Sequence, residues 1–177
     1  MEFIIRQELT EESNNTEEVI QEAFKNEDHS DKSEHLLVRR IRESKEFIPQ
    51  LSLVAVNQSQ GLIGHILLSK IKIISSDRSV ESLALAPVSV LPEFQNKGVG
   101  SQLIHRVLAK AKDLGYTSII VLGHKDYYPK FGFEPAAHFG IKAPFEVPNE
   151  FFMAIELEEG GLDSISGVVH YPEAFSE

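Results

Sequence analysis

The feature that most narrows the folds open to this chain is a strand, a glycine-bearing turn, a long amphipathic helix and a second strand, in that order. Val80 to Val90 reads as an extended, largely apolar run. It passes through Leu91-Pro92-Glu93-Phe94-Gln95-Asn96-Lys97 into a helix expected from Gly98 to about Leu114. Val99, Leu103, Ile104, Val107, Leu108 and Ala111 recur at helical spacing, while Lys110, Lys112 and Asp113 mark the wet side. Gly115 suits the position just past the helix. Ser118-Ile119-Ile120-Val121-Leu122 is then an apolar, β-branched run of the kind buried in a sheet centre. Such a crossover is right-handed and leaves its two strands parallel.

Upstream, Phe3 to Glu8 reads as a short strand. Thr16 is placed to cap a helix through Phe24, and Ser33 to cap a second one that Pro49 ends. The charged stretch Lys25 to Lys32 between them lacks an apolar period and reads as a loop. Leu51 to Val56 and Leu62 to Ile74 read as strands joined by the turn Asn57 to Gly61. Pro87 interrupts the third long strand, which implies a bulge or an edge there. Phe151 to Leu157 is a further strand, and Gly167 to Tyr171 is expected as a final edge strand. Meandering strands followed by a crossover helix predict an α+β, mixed αβ architecture. At 177 residues and 42% hydrophobic, one domain is expected over 1–177, with a core to about 157 and an extension over 158–177.

Composition excludes several functions. There are no cysteines, hence no disulfide, no thiolate zinc site and no cysteine nucleophile. No metal is implied. A formal net charge of −10 disfavours nucleic acid and anionic membranes, which require clustered lysine and arginine. The first residues, Met1-Glu2-Phe3-Ile4-Ile5-Arg6-Gln7-Glu8, are too charged for a signal sequence, and no apolar run has bilayer length. A cytoplasmic protein is the expectation.

Gly98 and Gly100 let the main chain turn tightly and bring its N–H groups close to an anion. The helix start adds unpaired donors and a positive dipole end, which together suit a diphosphate. The segment Gln95-Asn96-Lys97-Gly98-Val99-Gly100 resembles the Gln/Arg-x-x-Gly-x-Gly/Ala fingerprint of the GNAT superfamily of acyl-CoA-dependent N-acetyltransferases. Tyr127-Tyr128-Pro129-Lys130-Phe131-Gly132-Phe133 resembles that family's Tyr-x-Lys-x-Gly-Phe segment. Ile63-Gly64-His65, Val88-Ser89-Val90-Leu91-Pro92 and Leu122-Gly123-His124 are similar to the YhbS-like branch. The resemblance covers roughly Leu51 to Leu157.

The resemblance implies a twisted mixed sheet, splayed between the fourth and fifth strands, with helices on both faces. It implies acetyl-CoA (coenzyme A) in the splay. Val88, Ser89 and Val90 would offer main-chain groups to the pantetheine. Gln95, Asn96, Lys97, Gly98, Val99, Gly100 and Ser101 would hold the pyrophosphate, with Lys97 adding charge. Alignment on Gly132-Phe133 places the family's general acid at Tyr128, and the N–H near Val90 polarises the thioester carbonyl. Glu81, His65 and His124 stand as alternative general bases, and water is a fourth option. The link between the fifth strand and the tyrosines, Gly123-His124-Lys125-Asp126, is short and lacks the asparagine many members place there.

The implied reaction is acetyl transfer to a primary amine of a small molecule or peptide by direct attack. An acyl-CoA sensor without turnover is the alternative. A nucleotide-binding protein is disfavoured, because neither a P-loop nor a Gly-x-Gly-x-x-Gly fingerprint occurs. Acceptor recognition falls to Glu22 to Leu37, with Glu27, Asp28, Asp31 and Glu34, and to Pro135 to Pro148. A terminal edge strand would allow a homodimer.

Overall fold

Alternation along the longest strand sorts the molecule into layers. In β3 (Gly61–Ile74), Ile66 and Leu68 join one buried cluster with Leu103 and Val107 of the helix α3 (Val99–Asp113). Leu67, between them, packs instead with Ile20 of α1 (Ser13–Phe24) and with Val38 and Ile41 of α2 (Glu34–Arg42). Helices therefore cover both faces of the sheet, as the period-2 geometry of a strand requires. The computed structural model describes residues 1–176.

The remaining strands are β1 (Ile4–Gln7), β2 (Phe47–Asn57), β4 (Ser79–Val90), β5 (Ser118–Leu122), β6 (Glu134–Pro135), β7 (Ile141–Lys142), β8 (Phe152–Glu156) and β9 (Gly167–His170). They run β1-β2-β3-β4-β5-β8-β6, with β9 beside β3 and β7 beside β9. The sheet is mostly antiparallel. The crossover through α3 makes β4 and β5 parallel, and β7 and β9 are also parallel.

The β4–β5 pairing is short. Leu83 faces Ile119 and Ala84 faces Ile120, and no further pair forms. On its other side β4 stays paired with β3, but the register slips where Ala86 and Pro87 together oppose Leu67. This extra residue bends β4 away from β5. The expected splay between the fourth and fifth strands thus opens just past Ala84, where the proline-marked bulge begins.

Three local expectations change. The first helix starts at Ser13, and Thr16 lies buried within it instead of capping it. The Glu12 carboxylate organises that start by accepting from the Leu9 N–H at 2.8 Å and from Arg6 at 2.7 Å. Pro49 lies inside β2, in an irregular stretch between the pairs Phe47–Ser69 and Ser52–Leu67, where Pro49 and Gln50 are exposed. A proline is tolerated there because no ladder donor is needed. Finally, β9 is no edge. It lies between Lys72–Ile74 of β3 and Ile141–Lys142 of β7, so it offers no free seam for pairing two copies. Beyond it, Ala174 and Phe175 pack against α2, and the Ala174 carbonyl accepts from Arg40 Nε at 2.7 Å.

Candidate functional site

The parted strands leave a groove of about 690 Å³. Leu85, Ala86, Pro87, Val88 and Val90 of β4 form one wall. Leu122, Gly123, His124, Tyr127 and Tyr128 form the facing one. Gln95, Asn96, Gly98, Gly100 and Ser101 close one end, and Phe24, Glu27, His29, Ser30 and Glu34 of the α1–α2 segment close another.

The first of these ends is built for an anion. Gly98 takes φ 86° at the N-cap of α3, with Asn96 at φ 61° two residues before it. A side chain is disfavoured in this left-handed conformation, and the fold uses glycine at the helix boundary. The Gln102 N–H donates to the Gly98 carbonyl at 3.0 Å, so the N–H groups ahead of it are helix-start donors. A Cβ on Gly100 would meet the Tyr127 hydroxyl at 3.3 Å and Val90 at 3.7 Å, so its bareness keeps the channel open. Gln95 spends its side chain on the Val90 carbonyl, at 3.0 Å, tying the loop to the strand. Helix-start donors of this kind suit a diphosphate.

Tyr128 is 7% exposed and follows directly from a tight packing arrangement. A Cβ on Gly123 would fall 2.3 Å from its ring, so only glycine permits the phenol to lie against the end of β5. Tyr127 meets Tyr128 edge to face at 5.2 Å, and Phe133 supports Tyr128 at 5.7 Å. Burial, and secondarily Tyr127, pushes the Tyr128 phenol well above its ordinary range. Burial also raises Tyr127. Both rings are therefore protonated at neutral pH. Lys130 Nζ stands 4.3 Å from the centre of the Tyr127 ring. Asp126 makes no capping bond to the following 3-10 turn.

The other candidates distribute unevenly. Val88, Val90, Gln95, Asn96, Gly98, Gly100, Ser101 and Tyr128 line the groove. Val99 turns its side chain into the core, leaving only main chain to a ligand. Lys97 lies over Phe94 at 5.9 Å. Ser89 is buried on the α1 side of β4, with its hydroxyl unpartnered. Glu81 is exposed near the start of β4 and lines a different groove with Lys70, Lys72 and Arg40. It does not meet Tyr128. The stretch 137–149 likewise lines a separate groove, where Phe145 stacks on Tyr171 at 6.3 Å.

His65 is fully buried beneath α1, outside the groove lining. Its Nε2 meets Ser52 Oγ at 2.9 Å, and Ser52 Oγ donates to Glu8 Oε1 at 2.9 Å. The serine has one hydrogen and the carboxylate takes it, so Nε2 must carry the imidazole proton. Glu8 is ion-paired to Arg42, which also reaches Glu17 at 3.1 Å, and Arg39 holds Glu17 at 2.6 Å. Burial drives the His65 pKa down to about 4, opposed by Glu8 and assisted by Arg42. This neutral histidine anchors a structural ion network.

Sequence reasoning gave Phe24, Pro87, Gly123 and Lys130 no groove role of their own. Gly123 and Lys130 carried a signal as members of the family-like segments, Phe24 falls in the stretch 22–37 expected to meet the acceptor, and Pro87 was read only as a bulge or edge.

Comparison with known proteins agrees with this geometry. Residues 8–133 match the model of the Acetyltransferase (GNAT) family. The chain is 37% identical to the uncharacterized N-acetyltransferase YjhQ of Escherichia coli K12 over 115 residues, covering 64% of this chain and 63% of YjhQ, less than two thirds of that relative. It is 25% identical over 174 residues to the uncharacterized N-acetyltransferase YhbS of the same strain, covering 98% of this chain and 99% of YhbS. The crystal structure of Escherichia coli YhbS in complex with CoA superposes with a TM-score of 0.88 at 25% identity, covering 99% of this chain and 92% of that one. A GNAT family acetyltransferase from Brucella melitensis in complex with acetyl-CoA gives 0.80 at 29% identity, covering 98% of each chain. With the family model matching residues 8–133, most of its length, this chain belongs to the GNAT acetyltransferase family.

Proposed function

We propose that the chain acts as one domain that transfers an acetyl group from acetyl-CoA to an amine, by direct attack in a ternary complex. One observation carries this reading: helix-start donors, an unpaired length of β4 and a buried phenol meet in a single groove. In this assignment the N–H groups from Asn96 to Ser101 hold the pyrophosphate. Val88 and Val90 pair through their main chain with the pantetheine amides, as a missing strand would. The main-chain N–H near Val90 faces the carbonyl oxygen that gains charge during attack. Tyr128, kept protonated by burial, gives its proton to the departing sulfur.

The acceptor is a small-molecule or peptide amine. A cytoplasmic location is part of this reading. No helix among the described residues is long and apolar enough to cross a membrane.

Tyr128→Phe tests the acid role. Calorimetry with CoA should give an affinity within twofold of wild type, while thiol release with an amine panel should fall by about 10²-fold or more. Equal losses in both would remove the acid assignment. Firm acetyl-CoA binding with no thiol release over any amine would favour a sensor without turnover.

A further inference from the structure

The groove is poor in cations for a ligand that carries a diphosphate and a 3′-phosphate. The chain has a formal net charge of −10, and Glu27 and Glu34 stand among the lining residues. Among the described residues, Lys130 is the one lysine or arginine in that lining. Lys97, expected to add charge at the phosphates, is outside it and rests 5.9 Å from the centre of the Phe94 ring. Neither lysine pairs with a carboxylate among the described residues. An anion approaching an acidic protein is repelled at long range, so a cation inside the groove weighs heavily on whether it stays.

Tyr127 decides where that cation is held. It stands directly before the 3-10 turn Tyr128–Phe131, with φ −103° and ψ −55°. Three residues per turn bring a side chain over the third one after it, and Lys130 is third after Tyr127. The Lys130 Nζ accordingly lies 4.3 Å from the centre of the Tyr127 ring, within cation–π range. The same ring meets Tyr128 and Phe131 edge to face, each at 5.2 Å, which fixes its plane. Its hydroxyl comes within 3.3 Å of the place where a Cβ on Gly100 would stand. Gly100 is the second residue of α3, so this phenol spans the groove from the tyrosine wall to the helix-start donors. Burial raises the phenol, which keeps its proton at neutral pH and can donate it in a hydrogen bond.

We propose that Tyr127 and Lys130 form a side-chain clamp on a phosphate of the coenzyme, facing the main-chain donors at the start of α3. The Lys130 ammonium supplies a full positive charge where the helix start supplies only dipoles. Tyr127 positions that ammonium on its face and donates through its hydroxyl beside Gly100. This rests on the reading of the groove as a coenzyme A site. Lys130 is a binding residue in this arrangement, and Tyr127 is both a binding residue and the positioning residue for Lys130.

Calorimetry on the full chain tests the clamp without turnover, using CoA and dephospho-CoA, which keeps the diphosphate and lacks the 3′-phosphate. Lys130→Gln should weaken CoA about tenfold and lessen the fall of affinity between about 50 mM and about 300 mM salt. Lys130→Arg should retain most of the affinity. Lys110→Gln, the same charge change on the outer face of α3, should stay within about twofold. Tyr127→Phe keeps the platform, so it should lose a few-fold in affinity with the salt dependence of wild type. Tyr127→Leu removes the platform and should match Lys130→Gln in salt dependence. An equal loss with dephospho-CoA assigns the clamp to the diphosphate, and a loss confined to CoA assigns it to the 3′-phosphate. CoA affinity and salt dependence that are the same in wild type and Lys130→Gln overturn the clamp, as does a larger loss from Lys97→Gln than from Lys130→Gln. A wild-type chain that binds no CoA would instead count against the coenzyme reading.

Discussion

Tyr128 shows how much a single residue's role depends on its neighbour. The phenol occupies the space where a Cβ on Gly123 would sit, 2.3 Å from Cε2 and 2.9 Å from Cδ2. Gly123→Ala should therefore displace the ring, lowering turnover to about the level of Tyr128→Phe and stability by about 1–3 kcal/mol. Combining the two changes should cost no further turnover, which a thiol-release assay on both single variants and the double variant would check. The tyrosine itself was legible because its spacing to Gly132-Phe133 is a sequence property. Glu27 and Glu34, which line the groove, were not separable from Asp28 and Asp31, which do not, since only the folded loop decides which carboxylates turn inward. Glu81 was misplaced for a metrical reason. It lies six residues before Pro87, about 20 Å along an extended strand, whereas the splay opens only after Ala84.

At the scale of elements, the start of α3 joins conformation to ligand binding. Gly98 has φ 86°, yet an added Cβ would meet nothing within 4 Å. Gly98→Ala should thus act through the backbone alone, lowering stability by roughly 1–2 kcal/mol and weakening CoA several-fold. Urea unfolding and calorimetry would show both; unchanged CoA affinity would mean that the N–H fan is not the pyrophosphate cradle. The helix, the strand β5 and the hairpin at Asn57–Gly61 were readable because each obeys a local period or turn rule. The start of α1 and the interior position of Pro49 were not. Glu12 is organised through Arg6 of β1, and Pro49 is tolerated through a bulge against β3. Both depend on partners outside the segment.

Across the whole molecule, a buried neutral histidine ties stability to pH. His65 falls from 6.5 to about 4 on folding, so the unfolded chain binds the proton more readily. Its contribution is complete above pH 6.5 and is lost as pH falls toward 4, by at most about 3 kcal/mol. Urea midpoints taken between pH 7 and pH 4.5 should show this decline, and His65→Gln should flatten it. Glu12, lowered chiefly by its hydrogen bond to Arg6, loses its share only below its ordinary value of 4.5. The mixed architecture was expected from the order of elements, and the splay from the family resemblance. The place of β9 between β3 and β7 was not, because its partners are set by how the distant segments 140–142 and 72–74 come together. The brevity of the β4–β5 ladder has a mechanical side. Two residue pairs alone stitch the left and right portions of this sheet along its middle. On the proposed reading, a pantetheine arm laid in the gap would be a detachable rung between these two portions.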